Sequence, residues 1–164
     1  RLKRSYWQSA PPIFYELGTP ADGALEVLDT LSQRYRLGVI ANQHPPGHQW
    51  LAETGMARYL SAKALDCDLG VGKPDLRLFE HALELADCPP HRTVMVGDRL
   101  DNDIAPAKSL GMRTIRVQAL GEYARFEPSG PIDTPDATVS SLRDIPGILV
   151  DWESAAPFLQ QRLS

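Results

Sequence analysis

Residues 93–104 read Thr93-Val94-Met95-Val96-Gly97-Asp98-Arg99-Leu100-Asp101-Asn102-Asp103-Ile104. An apolar, β-forming tetrapeptide ends in a Gly-Asp turn and a group of acids. Carboxylates gathered at a strand end repel one another by ~3–4 kcal/mol per close pair at an effective dielectric of ~20, and a bound cation relieves that repulsion. Mg²⁺ suits such a place, because it takes oxygen ligands, keeps several waters and uses one or two carboxylates plus a phosphate. Asp101 is expected to cap the helix that follows.

The flanking segments alternate in type. Upstream, Asp75 caps a helix whose apolar residues Leu78, Phe79, Ala82, Leu83, Leu85 and Ala86 are predicted to share one face, and Cys88-Pro89-Pro90 ends it. Downstream, a helix over Asp103–Leu110 stops at Gly111, and Arg113–Val117 forms another strand. Farther upstream, Thr19-Pro20 predicts a helix start, with Leu25, Val27, Leu28 and Leu31 at helical spacing to about Arg34. Leu37-Gly38-Val39-Ile40-Ala41 reads as a strand buried on both faces and ending at Asn42. Pro46 opens a helix that Gly55 stops, and Ala62–Leu65 makes another strand. Such alternation predicts an α/β fold with a doubly wound, mostly parallel sheet, whose ligands lie beyond the carboxyl ends of the strands. Residues 120–136 are expected to be an exposed loop. Ser141–Leu149 and Trp152–Leu163 are expected to be short helical pieces.

With 164 residues, 43% hydrophobic and 23% charged, the chain is expected to be one domain able to support a core without staples. Cys67 and Cys88 form no CxxC pair, so a disulfide framework is not expected and a reducing cytoplasm is. Seventeen Lys and Arg against 21 Asp and Glu give a net charge of −4, which supplies no field for a nucleic-acid backbone. No apolar run approaches a membrane span.

Gly72-Lys73-Pro74-Asp75 is the second place where chemistry is expected, a lysine held by a proline at the mouth of a helix and able to neutralise a phosphoryl group. It is not a Walker loop. Cys67 stands where that loop needs its first glycine, and Pro74 where it needs a hydroxyl. His44 and His48 bracket Pro45-Pro46-Gly47 near the same crevice and are expected to be loop histidines; His81 and His91 are expected to be structural.

In the order strand–Asn42, Lys73-Pro74, Gly97-Asp98 with Asp103, then Gly111-Met112 before a strand, the chain resembles the haloacid dehalogenase (HAD) superfamily of phosphohydrolases from about Thr19 to Leu149. The resemblance implies a HAD-like Rossmannoid core. It implies Asp98 as a catalytic residue and Mg²⁺ ligand, Asp103 as support for that metal, and Lys73 as the catalytic group that steadies phosphate. Asn42 is expected to touch substrate, a small phosphorylated metabolite. Residues 1–18 resemble the tail of a cap, 19–149 the core, and 150–164 a helical tail.

Two positions depart from the family pattern. Ala41 stands where the family places a phosphate-binding hydroxyl, and no Asp-x-Asp precedes Asn42. The family's opening strand, with its nucleophilic Asp, is therefore expected to be absent from this chain. That strand lies between the ones ending here at Ala41 and Val96, and its loss would leave buried backbone groups unpaired at about 1–3 kcal/mol each. The gap is expected to be filled by an N-terminal fragment, by a second copy of the chain, or by Ser5–Tyr15. Two functions follow from the resemblance: a phosphohydrolase core, incomplete or inactive as it stands, or a pseudoenzyme that binds or scaffolds without catalysis.

Overall fold

The computed structural model describes residues 19–43, 46–118 and 122–155. The expectations for the leading segment, for His44 and for the last nine residues lie outside these. Five parallel strands fall into two sheets. One joins β1 (Leu37–Ala41) to β2 (Leu60–Leu65); the other runs in the order β3 (Val94–Gly97), β4 (Arg113–Val117), β5 (Ala137–Val139). All the described strands are parallel, as the alternation of elements predicted.

Helices cover both faces. On one lie α1 (Ala24–Ser32), α2 (Pro46–Glu53) and α6 (Ile145–Ala155); on the other lie α4 (Leu76–Ala86) and the short α5 (Ala105–Ser109). Strand periodicity sorts the core between them. Leu37 and Val39 join Leu25, Leu28 and Leu51 on the first face, while Ile40 points to Leu78 and Ala82 on the second. Ile115, Val117 and Val139 pack beneath Ile145 and Leu149 of α6. On the opposite face Phe79 of α4 meets Met95 of β3 and Ala107 of α5, with Ile40 of β1 packed against the same cluster. Phe79 and Ile40 thus carry the core from one sheet to the other, although no strand pairing does so among the described residues.

Several local expectations are corrected. Thr19-Pro20 does not open a helix; α1 begins after Gly23, whose φ of 76° is left-handed and whose missing Cβ leaves room for Arg143, within 2.9 Å of the place a Cβ would occupy. Arg143 there bridges Asp22 at 2.6 Å and Glu26 at 3.1 Å. A one-turn helix that the sequence pattern does not predict, α3 (Asp66–Leu69), lies between β2 and the loop that carries Lys73. Leu85 turns away from the stripe of α4 and is exposed, whereas Leu78, Phe79 and Ala82 are buried. Ala137–Val139 adds a strand that the sequence pattern does not predict. The break expected between Leu149 and Trp152 is not there: helix α6 runs unbroken from Ile145 to Ala155; Pro146 sits in its first turn, where the missing N–H costs nothing.

Candidate active site

Asn42 follows the carboxyl end of β1 and clamps the backbone of Lys73. Its Nδ2 donates to the Lys73 carbonyl at 2.9 Å, and its Oδ1 accepts the Lys73 N–H at 2.6 Å. A Cβ at Gly72 would lie 2.8 Å from that Oδ1, so the close approach depends on glycine. Held in this way, Lys73 sends its side chain from the β1–β2 half to the β3–β4–β5 half, where Nζ donates to Asp103 Oδ1 at 2.6 Å. Both groups are nearly withdrawn from solvent, with side-chain exposures of 15% and 3%.

Asp103 reaches this position through the geometry of the acidic turn. Residues Leu100–Ile104 form a π-helical turn, wider than an α-turn, of the kind that recurs at functional sites. It folds the Asp103 carboxylate back over the end of β3, where Oδ2 accepts the Arg99 N–H at 3.0 Å. A Cβ on Gly97 would sit 2.4 Å from Asp103 Cβ, closer than such atoms approach. The glycine of Gly97-Asp98 is therefore a steric requirement of the acid that follows it at Asp103. Asp101 does not cap. Arg99 engages its carboxylate through Nε at 3.1 Å and Nη2 at 2.6 Å while lying 4.5 Å from the Tyr123 ring centroid. That guanidinium holds Asp101 below the usual carboxylate range.

Asp98 behaves oppositely. Burial, and then the neighbouring Asp103 charge, push its carboxyl above the ordinary value, with Lys73 opposing only in part. This is a place where a cation would be welcome. Each Asp103 oxygen already accepts a hydrogen bond, from Lys73 or from the Arg99 N–H, so Asp98 is the less engaged of the two acids. The donor set therefore fits a hard cation held directly by Asp98, with Asp103 contributing charge from behind.

Asn42, Lys73, Asp98 and Asp103, drawn from three separate segments, thus converge at one end of the strands. The described histidines, His48, His81 and His91, do not join them. His48 pairs with Asp68 on α3 at 2.9 Å, His81 lies 3.9 Å from Glu84, and His91 is in the turn before β3. Sequence reading misses Arg116, fully buried in β4. Its Nη2 donates to the Tyr123 carbonyl at 2.8 Å and its Nε to the Asp98 carbonyl at 3.4 Å, fastening the loop that carries Asp98. The only available signal is a cation inside the apolar run Thr114-Ile115-Arg116-Val117.

Comparison with known proteins bears on this constellation. The HAD-hydrolase-like family model matches residues 70–145, which include Lys73, Asp98 and Asp103. The chain is 32% identical to pyrimidine 5'-nucleotidase YjjG of Escherichia coli over 82% of its own length and 58% of that protein's. It is 36% identical to glyceraldehyde 3-phosphate phosphatase of Methanothermobacter thermautotrophicus over 73% and 54%. Among solved structures it resembles a HAD phosphatase from Thermococcus onnurineus, with a TM-score of 0.70, 25% identity and coverage of 79% and 57%. It also resembles a 2-haloacid dehalogenase from Pseudomonas syringae, with a TM-score of 0.67, 31% identity and coverage of 80% and 53%. The chain spans little more than half the length of each.

Proposed function

The chain belongs to the HAD superfamily, and from that premise we propose that it is the greater part of a Mg²⁺-dependent phosphohydrolase core acting on small phosphorylated metabolites. The observation that carries this reading is the Lys73 ammonium, locked between the Asn42 clamp and buried Asp103 and set beside an Asp98 whose charge is poorly compensated. Phosphoryl transfer asks for positioning and charge neutralisation more than for covalent chemistry. Lys73 would neutralise a phosphoryl oxygen. Asp98 would hold Mg²⁺, with Asp103 keeping the lysine in place. Mg²⁺, when bound, would offset negative charge developing on the transferring group. The relatives named for phosphate-ester substrates favour this chemistry over dehalogenation.

The attacking carboxylate belongs, in this reading, to a strand from outside the described residues that enters between β1 and β3 with its carboxyl end beside Lys73. Its oxygen would attack phosphorus as the ester oxygen leaves, and water would then release phosphate. Among the described residues no strand pairs with the outer side of β1 or of β3, which supports the entry point. One observation favours the alternative, a binding domain without catalysis. Ala41 offers no hydroxyl, and the neighbouring Asn42 already spends its amide on the Lys73 backbone; a missing oxyanion-type donor costs on the order of 10²–10³ in rate.

The test has two parts. Calorimetric titration with Mg²⁺ should show binding that Asp98→Asn abolishes; binding indifferent to that change would refute the metal assignment. Hydrolysis of p-nitrophenyl phosphate should then appear when the chain is mixed with a synthetic strand carrying Asp-x-Asp, and vanish with Lys73→Ala. Strand binding without turnover would establish the non-catalytic alternative instead.

A further inference from the structure

A second group of ligating side chains lies apart from this site. His48, the third residue of α2, faces α3, where Cys67 and Asp68 are adjacent. One ligand atom from each lies within 4.8 Å of the others. His48 Nε2 is 2.9 Å from Asp68 Oδ1, and Cys67 Sγ is 3.8 Å from the same oxygen. We propose that His48 Nε2, the Cys67 thiolate and Asp68 Oδ1 bind a borderline-soft divalent ion of the Zn²⁺ class, separately from the hard-cation site at Asp98.

Geometry is the first argument. In a tetrahedral zinc site, bond lengths of about 2.0 Å to nitrogen and oxygen and about 2.3 Å to sulfur put neighbouring N and O about 3.3 Å apart, and S and O about 3.5 Å apart. The observed 2.9 and 3.8 Å lie within half an ångström of these values. An ion could replace the proton shared by His48 and Asp68 through small side-chain rotations. Asp68 Oδ2, itself 3.0 Å from His48 Nε2, also accepts the Leu65 N–H at 3.3 Å, which steadies the carboxylate.

Donor chemistry is the second. Imidazole and thiolate with one carboxylate select Zn²⁺-like ions over Mg²⁺, which wants oxygen throughout. The carboxylates of Asp68 and Asp66 set negative charge beside the Cys67 sulfur, which draws a cation. On binding, the S–H bond breaks, its proton passes to solvent and the sulfur lone pair forms the metal bond. Three protein ligands leave a fourth position for water. Side-chain exposures of 44% for His48 and 35% for Asp68 give the ion a way in. A plain surface His–Asp pair would account for two of the three groups and is worth at most about 1 kcal/mol; it does not account for the sulfur beside it.

The bound ion would tie α2 to α3, from which the chain passes directly into the loop bearing Lys73. The test is titration of the whole chain with Zn²⁺ in a chelator competition, and with Co²⁺ followed by absorption. One equivalent should bind, and the Co²⁺ form should show a thiolate-to-metal charge-transfer band. Cys67→Ser should remove the band, and Cys67→Ser, His48→Gln and Asp68→Asn should each weaken Zn²⁺ binding by about tenfold or more. Cys88→Ser and Asp98→Asn should leave Zn²⁺ affinity unchanged. A charge-transfer band that is absent from the parent or survives Cys67→Ser would overturn the proposal, as would Zn²⁺ affinity that depends on Asp98 and not on His48.

Discussion

β1 and β3, the strands whose carboxyl ends carry Asn42 and Asp98, contain one buried residue between them, Met95. β2 and β4, which lie one step farther from the division between the sheets, contain eight. Burial in a parallel α/β sheet should run the other way, since central strands are covered on both faces and paired on both edges. Here the strands at the centre are the exposed ones, and Val96 is 37% accessible. The inversion agrees with the proposal that a further strand enters between these two. The polar cluster at their ends is assembled all the same, because Asn42, Lys73 and Asp103 reach across by side chain and need no ladder.

Hydrogen exchange should give the largest difference between the two regions. Amides of β3 and β1 that face the division should exchange with little protection. Those of β4, paired on both sides, should open only with global unfolding, about a thousandfold slower or more if the domain is worth at least 5 kcal/mol. Adding a complementary strand should close that difference. Equal protection in its absence would show that the edges are already covered.

Side-chain truncation should repeat the contrast at smaller scale. Ile115→Ala removes a side chain with 0% exposure under α6 and is expected to cost about 2–5 kcal/mol in denaturant unfolding. Val96→Ala, on the exposed strand, should stay within about 0.5 kcal/mol. Similar costs at both positions would mean that β3 is packed as tightly as β4. Between the two lies Gly97→Ala, whose new Cβ collides with Asp103, an overpacking expected to cost about 1–3 kcal/mol and to weaken Mg²⁺ binding together with stability.

Sequence legibility follows the same division of forces. Apolar periodicity and turn residues place β1, β3, β4 and α4 within a residue or so, because apolar runs bounded by glycine, proline or polar turns are a local signal. Lys73, Asp98 and Asp103 are readable because each sits at a strand end or turn marked by glycine or proline. Asp101 misleads because its partner, Arg99, competes with the capping geometry, and nothing local says which will win. Gly23 carries no local signal because its partner, Arg143, comes from the far end of the chain. Arg116 is invisible for a related reason: a buried cation is tolerable only where carbonyls from distant loops receive it, and those are tertiary facts.

Asp98→Asn should produce the smallest effect, and its sign is the informative part. Burial and Asp103 raise the folded-state carboxyl above its unfolded value, so the folded protein holds this proton more tightly than the unfolded chain does. The resulting penalty on folding is absent below the unfolded pKa, near 3.8, grows as pH rises through the window up to the folded pKa, and is fully present above it. Removing the charge should therefore stabilise the metal-free protein at neutral pH, with the advantage fading as pH falls toward the unfolded value. Adding Mg²⁺ should reverse the order, because only the parent can exchange its charge penalty for a bound ion. A melting temperature unaffected by Mg²⁺ in the parent, or an Asp98→Asn variant less stable than the parent without Mg²⁺, would mean that Asp98 is already compensated within the fold. The exposed centre would then be an independent feature of the sheet, unconnected to the chemistry at its edge.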